Sequence, residues 1–300
     1  LMVTLEALKE LHITPEDVQL VQNDTKLCPD TGMAGASRSF YMDGNATKIA
    51  AEKLLNNMRK PDGTFRTYEE MKAEGIETKV IGRYETTTTP GLTRLDPNTG
   101  VGDPTPAFTY CLNMAEVEVD TKTGKTTVLK FTCVDMVGRV GNIDAVNGQA
   151  YGGISHSIGF ALKEDYQDVK KHANMFGAGV SYIKDIPDDI NVIHMPVTIE
   201  DGPFGSSGAS EAFQASGHVA VLNGIARACG VRIHEMPALP AKVKAGLDAI
   251  AAGKEPEAPK KYFLGSDMYE ELENIKENPV QYDSYNFYQP LGDADADRPF

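Results

Sequence analysis

The feature that most constrains the fold is a pair of β-type runs separated by a short turn. Leu112–Asp120 and Thr126–Asp135 are rich in Val, Thr and Phe, and the intervening TKTGKT puts Gly124 where a positive φ is needed. An antiparallel hairpin is expected. Most other segments read differently. Apolar and small residues recur at helical spacing from Ser39 to Asn57 (Ala46, Ile49, Ala50, Leu54) and from Asp144 to Leu162 (Val146, Ile154, Ile158, Leu162). Glu211–Cys229 has Leu222, Ile225 and Cys229 on one face and Gly230 just past its end, so it too reads as a helix.

Shorter elements fill the rest. Residues 1–12 predict a helix end, 18–21 a short strand, 67–73 a short helix and 190–199 a further strand, while the Thr-, Pro- and Gly-rich stretch 85–107 excludes a regular helix. Strands and helices come in mixed order without repeats, so the fold class is α+β with mixed sheets. Residues 1–250 are read as one region, and residues 251–300 as an extended polar and aromatic tail that needs another surface to order it. Leu1 falls inside the apolar-periodic segment LMVTLEALKELHI, so a fragment of a larger protein or complex is expected.

Charge and cysteine usage narrow the function. The formal charge of -14 disfavours a nucleic-acid backbone or an anionic membrane as the main partner, and no apolar run is long enough to span a bilayer. Cys28, Cys111, Cys133 and Cys229 are spread singly, with no CxxC pair and no close His, so no zinc or iron–sulfur site is read here and no residue is assigned as a metal ligand. Cys111, Cys133 and Cys229 read as buried small hydrophobes, and reduced thiols point to the cytoplasm. The six histidines form no HxH or HxxxH spacing.

Three small-residue loops stand out: TGMAGASRS (31–39), GNIDAVNGQAYGG (141–153) and DGPFGSSGASE (201–211). Each precedes or opens a predicted helix. Small side chains let backbone N–H groups approach an anion, and a helix N-terminus adds about half a positive charge. Arg38 adds a full charge and Gln149 a bidentate amide. The competing reading is that these glycines serve turns and tight packing. None of the loops matches a P-loop or a dinucleotide fingerprint, and no GxSxG or HExxH is present. Glu211 follows the third loop and begins an apolar helix, where a carboxylate also compensates the helix dipole.

At these loops the chain resembles the molybdenum hydroxylases, the family of xanthine dehydrogenases and aldehyde oxidoreductases. GMAGASRSFYMDGNA resembles the loop that holds the pterin and its phosphates. EVEVDTKTGKTTVLKFTCVDMVGRVGN followed by GQAYGG resembles the family's hairpin, turn and Gly-Gln helix. GPFGSSGASE followed by NGIARACGVRIHEMPALPAKV resembles its Gly-rich loop, glutamate and closing helix. The resemblance runs from about Leu1 to Leu247.

That resemblance implies the C-terminal part of a molybdopterin-binding subunit. It assigns cofactor contacts to Ala34, Gly35, Ala36, Ser37, Arg38 and Gln149, places Gly208 beside the metal, and makes Glu211 the catalytic base. The implied reaction is oxidative hydroxylation of an aldehyde or N-heterocycle with oxygen from water. The implied cofactor is molybdopterin with molybdenum, as its cytosine dinucleotide, with iron–sulfur clusters on other segments or subunits. Implied partners are the N-terminal half of the molybdopterin region, an iron–sulfur domain or subunit, and a small-molecule substrate. Where the family loop more often reads G-V-G-E, this chain has Gly208-Ala-Ser-Glu211, with Ser210 replacing a glycine. The alternative from another class is a non-catalytic structural or assembly homologue that retains the fold.

Overall fold

The hairpin forms in the computed structural model, which describes residues 1–22, 24–86, 92–254, 273–274 and 276–278. Strands β1 (Cys111–Val119) and β2 (Thr126–Asp135) pair antiparallel, with Gly124 in the turn at φ 76°. The turn is closed by Gly124 N–H to Asp120 O at 2.7 Å, and the Asp120 carboxylate accepts from Lys122 N–H and the Thr123 hydroxyl. The register slips between Glu116 and Val117, which leaves Leu129 as an extra residue on β2. Val128 and Phe131, three apart, therefore both face inward, which strict alternation would forbid.

Strand β3 (Asp189–His194) adds to the other side of β2 in parallel, giving a mixed sheet of order β1-β2-β3. A parallel neighbour requires a crossover, and the crossover carries α4 (Ile143–Leu162). Buried Ala150, Ile154, Ile158 and Ala161 lie along one stripe of α4, which packs on Phe131 and Cys133 of β2 in the main core. Helices α5 (Ser210–Ala215) and α6 (Gly217–Cys229) complete this layer through Phe213 and Val221. Helix α7 (Pro240–Ala251) lies over the hairpin turn, where a methyl group at Gly124 would collide with the Pro240 carbonyl. Helices α1 (Met2–Ala7) and α2 (Ser39–Met58) build a satellite core from Leu8, Ala51 and Leu55. Helix α3 (Tyr68–Ala73) starts on a Thr67–Glu70 capping box.

The architecture agrees with the α+β reading, and several local expectations need correction. Residues 18–21 pair with no strand among the described residues, and Leu20 and Val21 are exposed. β3 stops at His194 because Pro196, two residues on, has no N–H to donate. The helix expected over 211–229 is broken at Ser216, and α7 was not read from the residue pattern. Cys133 is fully buried, but Cys111 and Cys229 are only partly so. Contacts divide the chain into units Leu1–Gly253 and Lys254–Phe300. The tail expectation for 251–300 falls almost wholly outside the described residues, and Ala251 itself is the last residue of α7.

Candidate functional site

The first and third small-residue loops meet at Ser37. Its hydroxyl accepts the Glu211 backbone N–H at 2.8 Å and donates to Glu211 Oε2 at 3.0 Å; Ser210 Oγ lies 3.0 Å from the same atom. One hydroxyl satisfies this set if Ser210 O–H points at Ser37 Oγ, since oxygen has two lone pairs and one proton. Ser37 thus both caps the start of α5 and fixes one carboxylate oxygen of Glu211. Gly208 is equally constrained, because a methyl group there would collide with the Ser37 carbonyl oxygen. On the opposite side the Thr109 hydroxyl donates to the Gly208 carbonyl at 2.9 Å.

Loop 31–38 has an unusual backbone. Ala36 and Ser37 stand consecutively at φ 52° and 54°, a left-handed conformation that side chains with a Cβ seldom adopt. Such strain costs about 1–3 kcal/mol per residue and persists only where neighbours hold it, here the Ser37 contacts. Ala34, Ala36 and Arg38 are exposed, and Gly35 is half-buried. Helix α2 begins directly after the loop with no side-chain cap among the described residues, which leaves its first N–H groups open to a ligand. Arg38 Nη2 donates to the Met33 carbonyl at 2.7 Å, and among the described residues no carboxylate neutralises it. An open α2 N-terminus beside an unneutralised guanidinium is the donor set that fits a phosphate-bearing cofactor.

The second loop reaches the others through packing. A Cβ on Gly153 of α4 would lie 2.7 Å from Phe213 Cβ of α5, so the bare glycine sets how closely the two helices approach. Gln149, one turn earlier on α4, is exposed and makes no hydrogen bond to the Ser37–Glu211 cluster among the described residues. The start of α4 is capped by Asn142. A shallow cleft of about 120 Å³ gathers Gly141 of the second loop, Phe204 of the third and Phe40 from the first turn of α2, with the Glu6–Arg139 ion pair at 3.5 Å on its wall.

The third loop is anchored along its length. Ser207 N–H donates to Val137 O at 2.9 Å and Arg139 N–H to Gly205 O at 2.8 Å, so the loop is laced to the segment after β2. Asn45 of α2 donates to the Asp201 carbonyl at 3.0 Å. Beyond the loop, the break between α5 and α6 is held by Ser157 donating to Gln214 O at 3.0 Å and Asn113 donating to Ser216 Oγ at 2.9 Å. Glu211 therefore rides on a short helix fixed at both ends.

Sequence reasoning missed several of these supports. Thr109, Asn113 and Ser157 carry no motif signal. Nor does the network at the ends of β2 and β3, where His194 Nδ1 lies 2.8 Å from Asp135 Oδ2 and Nε2 lies 3.0 Å from Asn147 Oδ1 on α4. Burial pushes the Asp135 carboxyl up from the ordinary range, while His194 and the Val137 N–H pull against it. The pair ties α4, two residues before Gln149, to the sheet.

Residues 2–187 match the model of the molybdopterin cofactor-binding domain. The aldehyde oxidoreductase of Megalodesulfovibrio gigas is 42% identical over 244 residues, 81% of this chain and 27% of that protein. A probable hypoxanthine oxidase of Escherichia coli is 28% identical, over 83% of this chain and 28% of its own length. The crystal structure of the aldehyde oxidoreductase from Desulfovibrio desulfuricans superposes with a TM-score of 0.77 at 45% identity, covering 82% of this chain and 27% of that one. The chain belongs to the molybdopterin cofactor-binding domain family and resembles the molybdenum hydroxylases within it. It spans about a quarter of the length of these relatives.

Proposed function

We propose that this chain supplies the general base, Glu211, and part of the cofactor seat of a molybdenum-dependent hydroxylase. The observation that carries the reading is the Ser37 hydroxyl joining the phosphate-type loop to the Glu211 backbone and carboxylate. Glu211 Oε2 is engaged by Ser37, which leaves Oε1 as the atom that would accept a proton from water. Ala34, Gly35, Ala36 and Arg38 hold the phosphates, with the open N-terminus of α2 behind them, and Gln149 adds an amide from α4. Gly208, whose missing side chain lets the third loop close on Ser37, would stand beside the metal. The bound molybdenum cofactor supplies a two-electron redox couple.

The substrate is an aldehyde in preference to an N-heterocycle, as supported by the 42% identity to an aldehyde oxidoreductase against 28% to the probable hypoxanthine oxidase. The cofactor is the cytosine dinucleotide form of molybdopterin. Electrons leave through iron–sulfur centres held elsewhere, and the N-terminal half of the molybdopterin region completes the pocket. The site works in the cytoplasm, in keeping with four free thiols; among the described residues no helix is long and apolar enough to cross a membrane. A non-catalytic assembly role would be favoured if Ser210 disrupted the loop. Its hydroxyl instead joins the Ser37 cluster, which favours catalysis.

Glu211→Gln in the full-length protein tests the reading. Turnover should fall by about 10²–10⁴-fold with molybdenum content unchanged by elemental analysis. Normal turnover would remove Glu211 from the mechanism.

A further inference from the structure

The sequence spreads its four cysteines singly, yet the hairpin brings two of them together. Cys111 on β1 stands opposite Asp135, and Cys133 on β2 opposite Asn113, so the two cysteines are diagonal neighbours on the inner face. Their sulfurs lie 3.2 Å apart. The other two thiols donate to backbone carbonyls, Cys28 to that of Val21 and Cys229 to that of Ile225. The paired sulfurs also differ in access: Cys133 is fully buried, whereas Cys111 is partly open.

We propose that Cys111 and Cys133 form a reversible intrachain disulfide, with Cys111 as the thiol that meets the oxidant and Cys133 as the resolving thiol. The oxidant is hydrogen peroxide. The Cys111 thiolate attacks the peroxide O–O bond, giving Cys111–SOH while the other oxygen leaves as water after protonation. The Cys133 sulfur then attacks Cys111 sulfur, the S–S bond forms, and the hydroxyl leaves as a second water. Two thiols are oxidised by two electrons and the peroxide is reduced by two. Thiol exchange with a small dithiol restores both residues.

The division of labour follows from the surroundings. The Cys133 thiol donating to Cys111 holds the Cys111 sulfur below the ordinary thiol range, against burial and the nearby Asp135. The same contact, with burial, pushes Cys133 up. The lower-pKa, more accessible sulfur is the better nucleophile toward peroxide. Closing the gap requires the sulfurs to approach by about 1 Å, within reach of a side-chain rotation and a small strand shift. The link would fall between two residues that hold the ends of α5, Thr109 just before β1 through Gly208 and Asn113 of β1 through Ser216.

The two cysteines lie on separate tryptic peptides, Leu95–Lys122 and Phe131–Arg139. The full-length protein is treated with stoichiometric hydrogen peroxide, blocked with N-ethylmaleimide and digested without reductant. A linked peptide, lighter by two hydrogens than the sum of its halves, should replace most of both maleimide-labelled peptides and vanish on dithiothreitol treatment. In Cys133→Ser, dimedone should label Cys111. The proposal is overturned if both wild-type peptides stay maleimide-labelled with no linked species, or if dimedone labels Cys133 in the wild type. The wild-type readout does not depend on any variant folding.

Discussion

In the 201–208 loop a methyl group at Gly202 would strike the Ser206 carbonyl, one at Gly205 would lie 2.7 Å from Thr198 Cγ2, and one at Gly208 would strike the Ser37 carbonyl. In the 31–37 loop, by contrast, a methyl group at Gly32 or Gly35 meets nothing within 4 Å. The two stretches look alike as sequence and use glycine for opposite ends. In the third loop the residue is absent of a side chain because protein presses against it. In the first the backbone faces open space, as it must if a ligand is to approach. In the proposed site the first loop is thus the seat and the third its scaffold, with Ser37 as the joint.

That division predicts unequal responses to mutation. Gly208→Ala should have the largest effect on stability, roughly 3 kcal/mol from overpacking, read as a drop in Tm, because both colliding groups are backbone. A Tm within a degree of wild type would refute the scaffold assignment. Ser37→Ala should cost about 1–2 kcal/mol by leaving the Glu211 N–H uncapped. It should also lower turnover more than it lowers molybdenum content. Equal losses of the two would mean that Ser37 serves only the seat.

A control outside both loops sets the scale. Burial pushes the Asp185 carboxyl up, but the Lys163 ammonium and the Tyr182 N–H outweigh it and leave it below the ordinary carboxylate range. A lowered folded-state pKa stabilises above the ordinary carboxylate range and loses that contribution as pH falls through the folded value. Lys163→Met should therefore cost about 1 kcal/mol near pH 7, with the difference from wild type vanishing in acid. A constant difference across pH titrations of stability would exclude the ion pair as its source. Gly35→Ala should have the smallest effect on stability, within about 0.5 kcal/mol, since the site is sterically open. It should nevertheless weaken cofactor retention in dialysed protein. Unchanged retention would move the seat away from this loop.

The hairpin, α2, α4 and the Glu211 helix start were legible because each rests on local signals: alternation, helical spacing, a turn glycine. The strand expected at 18–21 was not realised because local sequence supplies no partner, and among the described residues none pairs with it. The break at Ser216 left no local mark, since Ser and Gly also occur within helices. It depends on Asn113 and Ser157, which arrive from β1 and α4. For the same reason the meeting of Ser37 with Glu211, 174 positions apart, was visible only as two loops of similar composition. Whether a glycine is packed or open is a tertiary property, and two loops similar in sequence divided accordingly.

The break at Ser216 also partitions the molecule's fluctuations. Regular helical bonding restarts with Ala220 N–H to Ser216 O, so α5 can unwind without costing α6 its own hydrogen bonds. Helix α6 is secured by Val221 and Ile225 and should exchange its amide protons only when the main core opens. Helix α5 is secured by Phe213 and the contacts at its two ends. The carboxylate of Glu211 therefore sits on a separate breathing unit, whose opening free energy can be tuned through Ser37 without loosening the rest of the fold.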